Sequence, residues 1–132
     1  MDGVSLISLR PVHDERGDLI AVENKRDIPF DIARVYYLYN VPVNSARGGH
    51  AHKTLRQVIF AMSGSFRLTV HNGQNSEQFQ LRDPGVGILL ENLIWREMDL
   101  FSQGAVCMVL ASHTYDAQDY IRDFDEFMRL TI

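Results

Sequence analysis

Six residues that alternate apolar and polar, Phe66-Arg67-Leu68-Thr69-Val70-His71, run straight into Asn72-Gly73, and the alternation resumes at Gln78-Phe79-Gln80-Leu81. Only an extended strand puts every second side chain on one face. Asn-Gly is the strongest two-residue hairpin signal, because both positions favour positive φ. The chain is therefore committed here to an antiparallel pair, and its neighbours follow suit. Gln57-Val58-Ile59-Phe60-Ala61-Met62 reads as a buried strand, turned by Ser63-Gly64-Ser65 into the next. Val35-Tyr36-Tyr37-Leu38-Tyr39, Val86 to Leu90 and Val106 to Leu110 are rich in β-formers. Many short runs bounded by glycine and proline mark an all-β sandwich or barrel. Near the end the pattern changes: Tyr120, Ile121, Phe124, Phe127 and Met128 recur at roughly helical spacing. This predicts a short helix from Asp123 to Leu130, with Asp119 to Arg122 as an alternative final strand.

At 132 residues the chain makes one domain with one core, spanning residues 1–132. A net charge of −4 gives no global positive field for a nucleic-acid backbone, so no nucleic-acid partner is expected. The single cysteine, Cys107, excludes an internal disulfide and lies in an apolar run, as a buried, inert thiol does. No apolar stretch reaches bilayer length, so no membrane partner is expected. Met1-Asp2-Gly3-Val4 is not a basic region leading into a long apolar one, and the expected compartment is the cytoplasm.

The chemistry centres on His50-Ala51-His52, flanked by Arg47-Gly48-Gly49 and Lys53. On a strand both imidazoles leave the same face. Two glycines permit an unusual backbone or a close approach by a ligand, and Arg47 and Lys53 suit a phosphate. After His52 come four residues, then Gln57, then six more to Gly64. This spacing resembles the first motif of the cupin superfamily, with Gln57 in the place of its acidic residue. In the stretch that resembles the second motif, Gly87 to Arg96, the expected histidine is Arg96. A guanidinium cannot ligate, and its charge repels a cation. No metal and no cofactor are expected; a general acid–base pocket with affinity for an anion is.

A closer resemblance covers nearly the whole chain. Asp14 to Leu19, Ile28-Pro29-Phe30, Arg34 to Tyr37, Arg47 to Lys53, Trp95 to Met98, Val109 to Ser112, and Tyr115-Asp116 through Asp119 to Asp123 stand in this order. Together they look like the dTDP-4-keto-6-deoxyglucose 3,4-ketoisomerases, the WxcM-like sugar ketoisomerases. The resemblance implies a cupin-type antiparallel β-sandwich (jelly roll) with a short C-terminal helix. It implies a dTDP-linked 4-keto-6-deoxy sugar as substrate, a metal-free histidine proton shuttle from C3 to C4, and a role in deoxysugar biosynthesis for surface glycans such as O-antigen. It also implies a homodimer that exchanges N-terminal strands. The N-terminal segment suits that expectation: Val4 to Leu9 is closed by Pro11, then a charged turn, His13 to Asp18, precedes another apolar strand, Leu19 to Val22.

By the same resemblance, the catalytic set is His50 as shuttle, His52, Tyr36, Arg96 and Arg16. The binding set is Arg34, Tyr37, Arg47, Lys53, Gln57 and Trp95. Tyr36 and Tyr37 point to opposite faces of a strand, and Arg34 shares the face of Tyr36. Trp95 also suits a core or interface aromatic, and Arg122 with Asp123 suits surface or dimer salt bridges. Arginine at both 16 and 96 leaves the C4 configuration of the product, gluco or galacto, open. Two competing readings are a dTDP-sugar 3,5-epimerase, which the compact His-Ala-His argues against, and a non-catalytic nucleotide-sugar-binding cupin.

Overall fold

In the computed structural model, which describes all residues from Met1 to Ile132, the alternating segments form twelve strands. In chain order these are β1 (Val4–Ser8), β2 (Val12–Asp14), β3 (Gly17–Leu19), β4 (Arg34–Leu38), β5 (Arg47–His52) and β6 (Gln57–Ser63). Then come β7 (Phe66–His71), β8 (Ser76–Leu81), β9 (Val86–Leu90), β10 (Trp95–Asp99), β11 (Val106–Ala111) and β12 (Tyr120–Ile121). One helix, α1 (Phe124–Leu130), closes the chain. One five-stranded sheet has the order β1-β9-β6-β11-β4, the other β12-β5-β10-β7-β8, and every pairing in them is antiparallel. β2 and β3 form a separate two-stranded ribbon.

The two sheets face each other across the main core. Ile59, Ala61, Ile88, Leu90, Cys107 and Val109 from the first sheet meet Phe66, Leu68, Val70, Leu81 and Met98 from the second. The alternation of β7 is realised: Phe66, Leu68 and Val70 are buried while Arg67, Thr69 and His71 are half-exposed. β6 reads as continuous apolar because it is covered on both sides. Val58 and Phe60 point outward beneath Ile28 and Phe30 of the 20–33 segment. A third cluster, Ala51, Trp95, Ile121 and Phe127, seats α1 on the outside of the second sheet.

Three details differ from the sequence reading. The β7–β8 hairpin closes through four residues, with His71 opposite Ser76. Only Gly73 of the Asn-Gly pair has positive φ; Asn72 works through its side chain, whose Oδ1 accepts from the N–H groups of Gln74 and Asn75. The apolar segment after β2 stops being a strand at Leu19, and Ile20 to Val22 are irregular. The C-terminal alternatives are both realised in sequence: Tyr120–Ile121 extend the second sheet, and Asp123 then caps α1 by accepting from the N–H of Asp125.

Candidate active site

The site lies at one end of the sandwich, where the edge strand β4 of the first sheet faces β5, β10 and β12 of the second. Strand parity decides who enters. Arg34, Tyr36 and Leu38 face inward from β4; His50 and His52 from β5; Arg96 and Met98 from β10; Tyr120 from β12. A cavity of about 330 Å³ results, lined by Arg34, Tyr36, Leu38, Arg47, Gly48, His50, Met98, Tyr120 and Arg122. That is within the size range of small-molecule sites.

Gly48 makes this geometry accessible. Its φ is +88°, and a Cβ there would lie 2.9 Å from the carbonyl oxygen of Arg96. The β5–β10 pairing is offset at this point, with Arg96 opposite His50 but Glu97 opposite Gly48. A glycine is needed where a bulged strand comes this close to its neighbour's backbone.

The two imidazoles meet edge to face, their centroids 5.0 Å apart. Tyr120 packs on both, 5.0 Å from His50 and 4.4 Å from His52, and the Arg122 guanidinium lies over the Tyr120 ring, 4.4 Å from its centroid. Behind this layer Arg96 is 2% exposed. It donates to the carbonyl of Ile94 and to Oε1 of Gln57, and it has no carboxylate partner. Gln57 uses its other end as well: Nε2 donates to the Tyr36 hydroxyl at 3.0 Å. The Tyr36 oxygen thus accepts from behind and keeps its own proton to donate elsewhere. Arg34 stacks near Tyr36 and Tyr115, and its Nε and Nη2 are buried without a partner. His52 bonds through Nδ1 to Asp119 at 3.1 Å, while its Nε2 is buried and unpartnered.

The electrostatics follow from burial and, second, from an unbalanced buried cation. Burial, then the Arg96 charge, then the neighbouring imidazole lower the His50 pKa to about 3. Burial and Arg96 lower that of His52 to about 4, against the opposing pull of Asp119. Both are neutral at neutral pH, hence competent to accept a proton. Burial raises the Tyr36 phenol, with Arg96 and Gln57 pulling the other way. Burial lowers Arg96 itself to about 10, so it remains charged. Burial opposes ionisation of Asp119, but hydrogen bonds from Thr54, His52 and Leu55 outweigh it and hold the carboxyl below its ordinary range.

Of the residues named from sequence, Arg34, Tyr36, Arg47 and His50 line the cavity. His52, Gln57 and Arg96 form the layer behind it. Four lie outside. Tyr37 is 62% exposed on the opposite face of β4, beside Tyr39. Lys53 is exposed beyond the end of β5, out of phase with the histidines. Trp95 faces away from Arg96 into the α1 cluster, against Phe124 and Phe127, and its indole N–H donates to Glu97. Arg16 sits exposed at the tip of the β2–β3 ribbon, paired with Asp14. Conversely, Arg122, expected in surface or dimer salt bridges, makes no ion pair within the chain and lines the cavity. Tyr120 and Asp119 join the site without having been singled out. For Tyr120 the signal was the 119–122 strand alternative, which puts Tyr120 and Arg122 on one face.

The donor set does not fit a divalent cation. Two imidazoles are joined by a guanidinium and an amide already bonded to each other, and a fixed positive charge stands where a ligand would be needed.

A jelly-roll sandwich holding two neutral imidazoles over a buried arginine, with guanidinium groups at the rim, is the frame of a cupin adapted to acid–base chemistry. The family model described as FdtA, WxcM-like, C-terminal, matches residues 2–131, and the chain belongs to this family. It is 41% identical over 124 residues to the TDP-4-oxo-6-deoxy-alpha-D-glucose-3,4-oxoisomerase of Aneurinibacillus thermoaerophilus, covering 94% of this chain and 89% of that one. A histidine-to-asparagine variant of the 3,4-ketoisomerase QdtA from Thermoanaerobacterium thermosaccharolyticum, solved with TDP-4-keto-6-deoxyglucose, superposes with a TM-score of 0.97. Identity is 40%, over 99% of this chain and 95% of that one. The WlaRB TDP-quinovose 3,4-ketoisomerase of Campylobacter jejuni is 46% identical, with a TM-score of 0.94, over 98% of this chain and 99% of that one.

Proposed function

We propose that this chain is a sugar-nucleotide 3,4-ketoisomerase that converts TDP-4-keto-6-deoxyglucose to a 3-keto-6-deoxyhexose. The carrying observation is the cavity itself: a neutral imidazole, His50, on the wall, a buried uncompensated arginine behind it, and unpaired guanidinium donors beside it. A proton α to a ketone is weakly acidic and leaves only if the resulting oxyanion is stabilised. Neutral His50 takes the C3 proton, giving an enediolate with its negative charge on O4. The Arg96 charge stabilises that species from a dry site. The O3 proton passes to O4, a transfer that the Tyr36 phenol, held by Gln57, is suited to bridge. His50 then returns its proton to C4, leaving the carbonyl at C3. No redox partner is consumed, because one carbon is oxidised as its neighbour is reduced. The residues present support chemistry without a metal.

Arg34 and Arg47 supply the anion-binding donors for the pyrophosphate, in the geometry in which guanidinium and phosphate match. The enzyme works as a homodimer. β1 is an edge strand, paired in the single chain with β9 from Val4–Leu90 to Ser8–Val86. The same register is available to a partner's β1, so exchange conserves every one of these bonds. At the opposite edge of the same sheet, Val35, Tyr37 and Tyr39 leave an exposed apolar strip along β4 and just past its end. Arg16, on the ribbon after β1, then reaches the partner's pocket rather than its own.

Incubation with TDP-4-keto-6-deoxyglucose in D₂O, followed by NMR, tests the reading. A 3-keto product with the transferred hydrogen at C4 is expected. Exchange at C3 and C5 with inversion is the epimerase outcome, and binding without exchange is that of a non-catalytic binder.

A further inference from the structure

Asp119 is 67 residues from His52 in sequence, yet its carboxylate is engaged at every side. Oδ1 accepts from the Thr54 N–H at 2.8 Å and from the Thr54 hydroxyl at 2.7 Å. Oδ2 accepts from the Leu55 N–H at 3.3 Å and faces Nδ1 of His52 at 3.1 Å. An ionised carboxylate has no proton to give, and His52 is 1% exposed with no other partner. The shared proton therefore belongs to His52 Nδ1, and Nε2 is left as a bare lone pair. That lone pair is buried beside His50 and Tyr120 and finds no donor in the protein. It is a dry, unpaired acceptor one layer behind the cavity wall, and an acceptor kept unpaired there is costly unless the site uses it.

We infer that Asp119 is a positioning residue that locks His52 in its Nδ1–H tautomer, so that Nε2 stands as a hydrogen-bond acceptor behind the cavity wall that His50 and Tyr120 form. The inference rests on the ketoisomerase reading for the reaction that this acceptor serves. The lock itself follows from the carboxylate and the ring. The carboxylate also ties residues 53–55 to the turn before β12, so a structural role has to be separated from a tautomeric one.

Two substitutions do so. Asp119→Asn retains Oδ1 as the acceptor for Thr54 and presents an amide N–H to His52 in place of Oδ2, which reverses the tautomer at the cost of the weak 3.3 Å bond from the Leu55 N–H. Thr54→Val removes a bond to Asp119 and leaves the ring contact. The tautomer of the free protein is read by ¹⁵N-imidazole NMR, with the His52 signals assigned by their loss in His52→Asn. Wild type is expected to carry the proton on Nδ1, and Asp119→Asn on Nε2, with kcat lowered roughly 10–100-fold, as for other residues that orient a working histidine. Thr54→Val is expected to keep at least half of the activity. A proton on Nε2 in wild type overturns the inference. So does a reversed tautomer with turnover within threefold of wild type, or an equal loss in Thr54→Val. Should Asp119→Asn not fold, the wild-type tautomer and Thr54→Val still decide. Because the tautomer is read without turnover, an inactive wild type with Nδ1–H refutes the function and not the lock; Nε2–H in an active enzyme refutes the lock and not the function.

Discussion

Arg96 sets the chemistry of its neighbours. Burial first, and then this charge without a counter-ion, make protonation of either histidine unfavourable, and the charge stabilises negative charge forming in the cavity. A base held neutral this far down should leave kcat/KM flat on acidification well below the ordinary histidine range. We expect no acid limb near pH 6.5 in a pH–rate profile; a limb with that apparent pKa would contradict the assignment. Gln57→Glu gives Arg96 the carboxylate it lacks, so the limb should then move up toward 6.5. Gln57→Leu leaves a buried guanidinium short of an acceptor and should lower stability by about 1–3 kcal/mol in urea unfolding. His50→Asn should cost about 10²–10⁴-fold in turnover while TDP still binds by calorimetry. More than a tenth of the activity remaining would move the base elsewhere.

Elements explain why those residues meet, and why some of the site was legible beforehand. His50 and His52 share a face because they are two apart on one strand, and Arg34 joins Tyr36 for the same reason. The same parity excludes Tyr37 and Lys53, and it allows only one of the consecutive pair Trp95 and Arg96 to face the cavity. Those three needed no structure to be set aside, only strict use of the period of two. Tyr120 and Arg122 were harder. A two-residue strand carries almost no alternation, and the helical spacing of Tyr120, Ile121, Phe124 and Phe127 competes with it. Asp119 was out of reach altogether, since its partners lie more than sixty residues away and a carboxylate's engagement is a tertiary fact. The bulge at Gly48 offers a direct test of the element scale. Gly48→Ala demands positive φ from an L side chain and pushes Cβ against the Arg96 carbonyl. It should destabilise by roughly 1–3 kcal/mol and reduce kcat by displacing β10. Wild-type thermal stability and activity in this variant would show that the close approach is not needed.

For the whole molecule, the pH dependence of stability has a definite sign. His50 and His52 have folded pKa values below their unfolded ones, so their contribution is present above about pH 6.5 and is lost as pH falls toward 4. The thermal midpoint should drop between pH 7 and pH 5, less so in His50→Asn; an unchanged slope in that variant would remove His50 from the account. Assembly is the other property of the whole. Deleting residues 1–12 removes β1 and should both weaken the proposed dimer and reduce turnover, by sedimentation and assay. A fully active monomer of the intact chain at micromolar concentration would contradict the proposed exchange.

The central claim is that neutral His50 carries a proton from C3 to C4 of a TDP-linked 4-keto sugar. The most direct measurement starts from substrate deuterated at C3 and reads the product by NMR. The account predicts deuterium at C4 of a 3-keto product, diluted only by exchange with solvent, and no such product from His50→Asn. A 3-keto product formed at the wild-type rate by His50→Asn, or deuterium lost from C3 with the carbonyl still at C4, would contradict it.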